Sequence, residues 1–177
     1  MAIALVQDAY HSVSPGTSIT VGTGSDNPLA TPTAGNLLVA HFTGTLSPGT
    51  LTISGWTQLA YATTSDGATV DAWFAKLATA ADTSIVGNST LSDNLHLHIS
   101  EWSDMGDAWS LHQLGTPTQA TSTATTLAAP SVTTTIADAL ALCGWSFTGG
   151  LPGTTNTYTN SFTTLSANQR GRTAYKI

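Results

Sequence analysis

Hydrophobic and polar residues alternate along much of this chain, which is the pattern of half-buried β-strands. The clearest case is a stretch in which Leu95, Leu97 and Ile99 stand at alternate positions, with His96 and His98 between them. Because successive side chains of a strand point to opposite faces, the leucines and the isoleucine share one face and the two histidines share the other. The sequence therefore predicts strands over most of its length.

Turn residues divide the chain into segments that read as strands. Loop or turn markers stand at Ser14-Pro15-Gly16, Ser47-Pro48-Gly49, Asp66-Gly67, Thr116-Pro117 and Gly149-Gly150-Leu151-Pro152-Gly153. We predict strands at Ala2–Asp8, Ser18–Val21, Gly35–Thr45, Leu51–Ile53, Thr57–Thr64, Thr69–Ala78, Thr83–Val86, Leu95–Trp102, Ala108–Leu114, Thr125–Thr134, Ala139–Phe147, Tyr158–Leu165 and Arg172–Ile177. The best helix candidate is Ala75–Asp82, which is equally explained by a strand that ends in a short turn.

About twelve short strands in one chain must protect their edges by pairing sheets or closing a barrel. We expect an all-β fold, a two-sheet antiparallel β-sandwich of jelly-roll type. No composition shift marks a domain boundary, so residues 1–177 are expected to form a single domain. A chain of 177 residues is long enough to bury a core without disulfides.

The low charge of the chain narrows the possible partners. Only 8% of the residues are charged, against about 25% in typical proteins. Lysine and arginine together number four, and the formal net charge is −6. Binding to nucleic acid rests on many cationic contacts to phosphate, and binding to anionic membrane surfaces likewise needs basic residues. The composition therefore predicts neither a nucleic-acid partner nor a membrane partner.

The histidines raise a metal hypothesis. His96 and His98 lie on one face of the predicted strand, about 7 Å apart by strand geometry. They could hold zinc if His41 or Asp71 supplied a third ligand from a neighbouring strand. The alternative is a polar outer face that carries two imidazoles. We favour the outer face and expect no structural metal and no cofactor.

Acidic and aromatic residues cluster at the end of the predicted strand Leu95–Trp102 and just beyond it. Glu101, Asp104 and Asp107 could hold calcium, or could provide the carboxylate pair of a glycosidase. We favour a solvated loop, because the segment lacks the EF-hand order of ligands. Trp102 and Trp109 flank the loop. They are the candidate binding aromatics if exposed, and core residues if buried.

Signatures of catalysis are missing from the sequence. There is no Gly-x-Ser-x-Gly nucleophile elbow, and Gly22-Thr23-Gly24-Ser25 lacks the rest of a phosphate loop. The single Cys143 lies in an apolar run and is expected to be buried rather than reactive. We therefore expect no catalytic residue and a role that is not enzymatic.

Four segments, taken in order, resemble the β-sandwich domains of structural proteins in tailed-phage virions. They are Pro32-Thr33-Ala34-Gly35-Asn36-Leu37-Leu38-Val39-Ala40, Gly55-Trp56-Thr57-Gln58-Leu59, Trp73-Phe74-Ala75-Lys76-Leu77-Ala78-Thr79-Ala80-Ala81-Asp82-Thr83 and Arg172-Thr173-Ala174-Tyr175-Lys176-Ile177. The pattern departs from that of the family at Ala81, where a glycine is expected. The resemblance covers about residues 32 to 177 and brings no catalytic residue with it.

This resemblance implies a protein of the bacteriophage virion. The leading expectation is a capsid decoration protein bound to the major capsid protein or another virion protein on the outer capsid surface. It would be made in the host cytoplasm without a signal peptide, and would assemble as a homo-oligomer, with a trimer favoured. The alternative is a receptor- or carbohydrate-binding module at a tail tip or fibre.

The low charge also indicates how such a protein would hold its partner. Few ion pairs are available, so we expect backbone hydrogen bonds, neutral side chains and apolar patches to make the contact. Strand addition at a sheet edge is one such contact. The terminal segments Ala2–Asp8 and Arg172–Ile177 are the predicted contributors.

Overall fold

The computed structural model describes residues 2–45, 49–64, 67–103, 109–115, 132–133, 135, 139–146, 161–167 and 171–177. These residues form nine strands: β1 Ala4–Val21, β2 Leu37–Thr45, β3 Leu51–Ile53, β4 Thr57–Thr63, β5 Thr69–Leu77, β6 Ile85–Ser103, β7 Ala141–Ser146, β8 Thr163–Ala167 and β9 Gly171–Lys176. Within these ranges the chain forms no helix, and accordingly none that could cross a membrane.

The strands form two antiparallel sheets. The large sheet has the order β1-β6-β2-β5-β4, and β3 also pairs with β6. The small sheet has the order β7-β9-β8. The prediction of an all-β, antiparallel fold is confirmed, whereas about twelve short strands and a jelly-roll arrangement stay predictions.

β1 is one long strand, although the sequence predicted a turn in its middle. Ser14, Pro15 and Gly16 lie inside it, at register shifts between Val13 and Gly16 and between Gly16 and Ser18. Proline cannot donate a hydrogen bond to a sheet and is tolerated on edge strands and at bulges. Because β1 is an edge strand, the proline marks an irregularity within it rather than its end.

β6 is also continuous, where two strands separated by a loop were predicted. Its second half pairs with β2, placing Leu97 opposite Phe42. Its first half returns to the same phenylalanine, because a Cβ added at Gly87 would lie 2.7 Å from the Phe42 ring. β6 therefore bends over one face of β2, and any side chain at position 87 would require the Phe42 ring to move.

The turn after β5 is held by side chains of one of the segments that carry the resemblance. The Asp82 carboxylate accepts hydrogen bonds from Lys76 Nζ at 2.8 Å, and from the Thr79 amide and hydroxyl at 2.7 and 2.9 Å. Burial raises the pKa of Asp82. The hydrogen bonds from Lys76 and Thr79 together lower the pKa by more, so it lies below its usual value. The strand-and-turn interpretation of Ala75–Asp82 is confirmed.

Several predicted strands have other outcomes. Residues 109–114 of the predicted strand Ala108–Leu114 are not in a strand, so that prediction is wrong there. Most of Thr125–Thr134 lies outside the described residues, as do residues 158–160 of Tyr158–Leu165. The β4–β5 hairpin is confirmed, with Gly67 at a φ of 69° in its turn, while Asp66 lies outside the described residues.

The two faces of the large sheet bury two separate clusters. The first lies inside the bend of β6 and includes Phe42, Phe74 and Leu97. The second lies on the opposite face, under the small sheet, where Trp102 packs edge-on against Tyr175 with ring centroids 4.8 Å apart. The small sheet is therefore seated on the face of β2, β5 and β6 that also carries the histidines.

Candidate functional site

The most elaborate polar arrangement in the described residues centres on His41, where the two sheets meet. β2 places His41 between His98 of β6 and Trp73 of β5 in the sheet register. The imidazole stacks on the Trp73 indole, with ring centroids 4.4 Å apart and planes 16° from parallel. From the small sheet, Gly144 lies so close that an added Cβ would be 2.6 Å from His41 Cε1 and 2.7 Å from the indole. Glycine at 144 therefore lets the small sheet approach these rings.

Hydrogen bonds extend from this imidazole in both directions. Nε2 of His41 lies 2.7 Å from Asp71 Oδ1, and Nδ1 lies 3.1 Å from the Thr173 hydroxyl of β9. The other Asp71 oxygen accepts a short hydrogen bond from the Ser146 hydroxyl of β7. In a neutral imidazole one ring nitrogen donates and the other accepts, so a proton on Nε2 directed at Asp71 leaves Nδ1 to accept from the Thr173 hydroxyl. We call these four residues the inter-sheet network.

The inter-sheet network has the residue types of a catalytic triad but not the arrangement. Thr173 is 1% exposed, so its hydroxyl cannot reach a substrate. Ser146 bonds to the carboxylate rather than to the imidazole. A general base must contact the hydroxyl whose proton it removes. The geometry therefore ties two strands of the small sheet to two strands of the large sheet.

His96 and His98 are not on an outer face, which corrects the favoured interpretation of the sequence. Both are buried, on the face of the large sheet that carries His41. Nδ1 of His96 lies 3.0 Å from the Ser12 hydroxyl. Nε2 of His98 lies 3.7 Å from Asp8 Oδ2, which is too long for a direct hydrogen bond. Within the described part of the chain, neither Nε2 atom has a hydrogen-bond partner.

This burial governs the protonation of the two rings. Loss of solvation lowers the pKa of His96 well below 6.5, and repulsion from His98 and His41 lowers it further. Loss of solvation also lowers the pKa of His98, although the Asp8 carboxylate raises it in part. Both imidazoles are therefore neutral in the folded protein at neutral pH.

The zinc hypothesis finds no ligand set here. His41, the proposed third ligand, uses both ring nitrogens for Asp71 and Thr173. Across the part of the chain that the structure describes, no three histidine, cysteine, aspartate or glutamate side chains are placed to hold one metal ion. Zinc sites in proteins use three or four such ligands.

Glu101 is part of β6 and fully buried, so it does not belong to a solvated loop as the sequence suggested. One carboxylate oxygen accepts hydrogen bonds from the Thr33 amide at 2.8 Å and Asn36 Nδ2 at 2.7 Å. The other accepts from Gln7 Nε2 at 2.5 Å. The carboxylate fixes the segment before β2 and is not free for calcium or a glycoside. Asp104 and Asp107 lie outside the described residues.

The candidate aromatic residues serve the second core. Trp102 is fully buried and donates a hydrogen bond from Nε1 to the Ser100 hydroxyl at 2.9 Å. It is therefore a core residue and not a binding residue. Trp109 is half-buried against the same cluster. The core interpretation, which is favoured in a chain with so few aromatic residues, is confirmed for Trp102, and the side chain of Trp109 is only partly exposed.

Cys143 lies half-buried in β7, with its sulfur 3.7 Å from the Ala174 carbonyl oxygen. Loss of solvation raises the pKa of the thiol to about 11, although the contact with Ala174 lowers it slightly. A catalytic cysteine needs a lowered pKa. The expectation of an unreactive thiol agrees with this environment.

Sequence reasoning missed a groove beside the loop that follows β1. Its volume is about 490 Å³. Six of the eleven residues that line it carry hydroxyl groups, namely Ser18, Thr20, Thr23, Ser25, Thr83 and Ser84. Serine and threonine are so frequent in this chain that no sequence signal singles these residues out, and the same holds for Thr173 and Ser146 of the inter-sheet network.

A scan against protein-family models, a search of curated proteins and a search of solved structures found nothing that matches this chain.

Proposed function

We propose that this chain is a non-enzymatic structural protein of a phage virion, and specifically a decoration protein bound to the outer surface of the capsid. The observation that carries the proposal is that the segments resembling such proteins occupy positions on which this fold depends. Residues shared for a structural reason support common architecture better than residues scattered on the surface. We include the jelly-roll arrangement of the sheets in this proposal.

Glycines in two of these segments make turns that other residues disfavour. Gly35 has a φ of 90° and Gly55 a φ of 77°, both in the left-handed region that glycine adopts without strain. Asn36, which follows Gly35, donates to the buried Glu101. Trp56, which follows Gly55, packs against the first core.

The other two segments hold the turn after β5 and the contact between the sheets. Lys76, Thr79 and Asp82 bond to one another in that turn. Thr173 and Tyr175 contact His41 and Trp102 across the sheets. These roles support a shared fold, from which the virion function follows by resemblance.

The described polar clusters also favour a structural role. The carboxylates of Glu101 and Asp71 and the hydroxyl of Thr173 all bond within the protein. These bonds stabilise the fold and leave little polar chemistry for a substrate. A protein that stiffens a particle needs such internal cross-links more than a reactive site.

β4 is the best-placed surface for a virion partner. It forms one edge of the large sheet, and no described strand pairs with its outer side. Its sequence Thr-Gln-Leu-Ala-Tyr-Ala-Thr carries no charge. An uncharged edge strand can accept a strand from another protein.

The terminal segments predicted for this contact are poorer choices. β9, which contains most of Arg172–Ile177, has β7 on one side and β8 on the other, so it offers no free edge. β1 is an edge strand, but in the predicted segment Ala2–Asp8 the Asp8 carbonyl oxygen already accepts a hydrogen bond from Asn27 Nδ2 at 2.8 Å, and just beyond it Tyr10 exchanges two backbone hydrogen bonds of 3.0 Å with Asn27. A homo-oligomer, with a trimer favoured at the three-fold positions of a capsid lattice, remains part of the proposal.

The hydroxyl-lined groove favours the second candidate, a carbohydrate-binding module at a tail tip. Its volume of about 490 Å³ falls within the range of small-molecule sites. However, its lining contains no Trp, Tyr or Phe, and such rings commonly pack against ligands. The capsid assignment therefore stands first.

Imaging of labelled particles tests the proposal. A gold-labelled antibody against the purified chain is applied to intact phage particles, and the labels are located by electron microscopy. We expect label over the whole capsid surface. Label confined to the tail tip would favour the carbohydrate-binding module, and particles without label would contradict both assignments.

A further inference from the structure

Three imidazoles form a row on the inner face of the large sheet, and the proposed function gives two of them no role. His41 and His98 are direct neighbours across β2 and β6. His96 lies on the same face of β6, two residues before His98 in the sequence. We call them the imidazole row. All three are at most 1% exposed. Histidine is intermediate in its tendency to be buried, so three together at this depth call for an explanation.

The groups that face the row come from four directions. β1 supplies Asp8, Tyr10, His11 and Ser12. The Asp8 carboxylate lies 3.7 Å from Nε2 of His98, and the Ser12 hydroxyl bonds to Nδ1 of His96. The Tyr10 ring centroid is 6.0 Å from that of His96. β2 supplies Thr43, the register partner of His96, whose hydroxyl has no partner. β5 supplies Asp71 and Trp73 to His41, and the small sheet supplies Thr173.

Among these described groups, negative charge is available to only part of the row. Asp71 is already shared between His41 and Ser146. Asp8 is 3.7 Å from His98 and does not bond to it directly. No carboxylate of the described residues contacts Nε2 of His96, which has no hydrogen-bond partner among those residues. The backbone of His11 raises the pKa of His96 in part, but less than the loss of solvation lowers it. A proton added at Nε2 of His96 would create a buried cation beside two other imidazoles.

We propose that His96 and His98 of the imidazole row form an acid switch, which keeps the fold stable at neutral pH and destabilises it when the medium becomes mildly acidic. A neutral imidazole can be buried at moderate cost, whereas an unpaired buried charge costs much more. Histidine is the residue whose charge changes in the range where such a switch acts. The proposal does not rest on the virion assignment.

The direction of the effect follows from proton linkage. In the unfolded chain both histidines have a pKa near 6.5, whereas burial lowers the pKa of each in the folded protein. Below pH 6.5 the unfolded chain therefore binds more protons, and stability falls as the pH falls until the folded-state pKa values are reached. A histidine that stays neutral in the fold at pH 5 raises the unfolding equilibrium constant about 30-fold there relative to neutral pH.

The test compares urea unfolding at pH 7.5 and pH 5.0 in the whole chain and in variants. The double variant His96→Asn, His98→Gln removes both titrating groups and keeps side-chain amides near the ring nitrogens. The control His112→Gln removes an exposed histidine instead. All three proteins have the same carboxylates. The contribution of carboxylate titration to the pH dependence of unfolding therefore cancels when the variants are compared, apart from local effects.

We expect the unfolding equilibrium constant of the unsubstituted chain and of the His112→Gln control to rise at least about 30-fold more between the two pH values than that of the double variant. An equal rise in all three proteins would overturn the proposal. The urea midpoints at pH 7.5 show whether the double variant is folded well enough for the comparison.

A second measurement uses the unsubstituted chain alone and decides the matter if the double variant does not fold. Imidazole proton resonances are followed by NMR from pH 8 to the acid limit of the folded state. We expect two of the five histidines to remain neutral well below pH 6.5, the ordinary pKa of this side chain. Titration of all five near pH 6.5 would overturn the proposal.

Discussion

The hydroxyl of Thr173 lies 3.1 Å from Nδ1 of His41, and this contact joins the small sheet to the large one. Both side chains are buried, and they are 132 residues apart in sequence. Asp71 holds the opposite ring nitrogen at 2.7 Å and so fixes which nitrogen accepts. The sheets are therefore joined by a directed polar contact as well as by the packing of Trp102 on Tyr175.

Thr173→Val tests this contact, because valine has the shape of threonine without the hydroxyl. Nδ1 of His41 would become a buried acceptor without a partner, which costs about 1–3 kcal/mol of unfolding free energy. Urea denaturation at pH 7.5 measures the change. The control Thr164→Val alters an exposed threonine on β8 of the same sheet and is expected to change stability by less than about 0.5 kcal/mol. Equal losses of unfolding free energy in the two variants would show that the bond between Thr173 and His41 does not stabilise the fold.

Glu101→Gln tests the clamp between β6 and the segment before β2. The carboxylate accepts hydrogen bonds from Gln7, Thr33 and Asn36. The NH₂ group of a glutamine would face at least one of these N–H donors, and that hydrogen bond would be lost. Bonds to charged groups contribute about 1.5–3 kcal/mol each. We expect the variant to lose at least about that much unfolding free energy, measured by urea denaturation at pH 7.5. An unchanged midpoint would show that the glutamate is dispensable.

The thiol of Cys143 gives a pH profile that reports on its burial. Since its pKa is raised to about 11, its rate of alkylation by iodoacetamide should keep rising about tenfold per pH unit through pH 9 and 10, because the thiolate is the nucleophile. The same chain unfolded in urea should level off near pH 9, where an exposed thiol is largely ionised. A native profile that levels off at or below pH 9 would contradict the buried environment.

Lysines on β4 test the proposed contact with a virion partner. Thr57→Lys with Thr63→Lys places two charges on exposed positions of this edge strand, and charged side chains discourage edge pairing. We expect the protein retained on particles to fall at least about tenfold, which corresponds to about 1.4 kcal/mol. Gel analysis of washed particles measures the retained amount.

The matched control is Thr52→Lys with Leu91→Lys, which adds the same charge at exposed positions away from β4. The control and the unsubstituted chain should both stay bound in a wash of about 1 M salt, where charges are screened beyond about 3 Å. If both lysine variants were lost from the particles to the same extent, the contact would not be at β4. Release of the unsubstituted chain by salt would likewise contradict an uncharged contact.

Alternation predicted which residues share a face, but not which face is covered. It placed His96 and His98 together, as the structure does. It could not show that the small sheet is seated on the same face, because that depends on contacts such as Trp102 with Tyr175, 73 residues away (175 − 102). The outer-face interpretation of the histidines failed because no local pattern shows that this face is covered.

Among the turn markers that the structure describes, a positive φ distinguishes real turns from the one that failed, whereas Ser47-Pro48, Thr116-Pro117 and Gly149-Gly150-Leu151-Pro152-Gly153 lie outside the described residues. Gly67 and Gly55 both have positive φ values and mark real turns. Pro15 satisfied the same local rule yet lies within β1, because an edge strand with register shifts accepts a proline. Long-range pairing with β6 decided the outcome there, and no local pattern encodes that pairing.

The copy number of this chain in purified particles distinguishes the proposed capsid decoration protein from a tail component. Quantitative mass spectrometry gives the ratio of this chain to the major capsid protein, with labelled peptides of both as internal standards. The account predicts a ratio fixed by the capsid lattice, with copies in the hundreds per particle. A handful of copies per particle, or none, would contradict it.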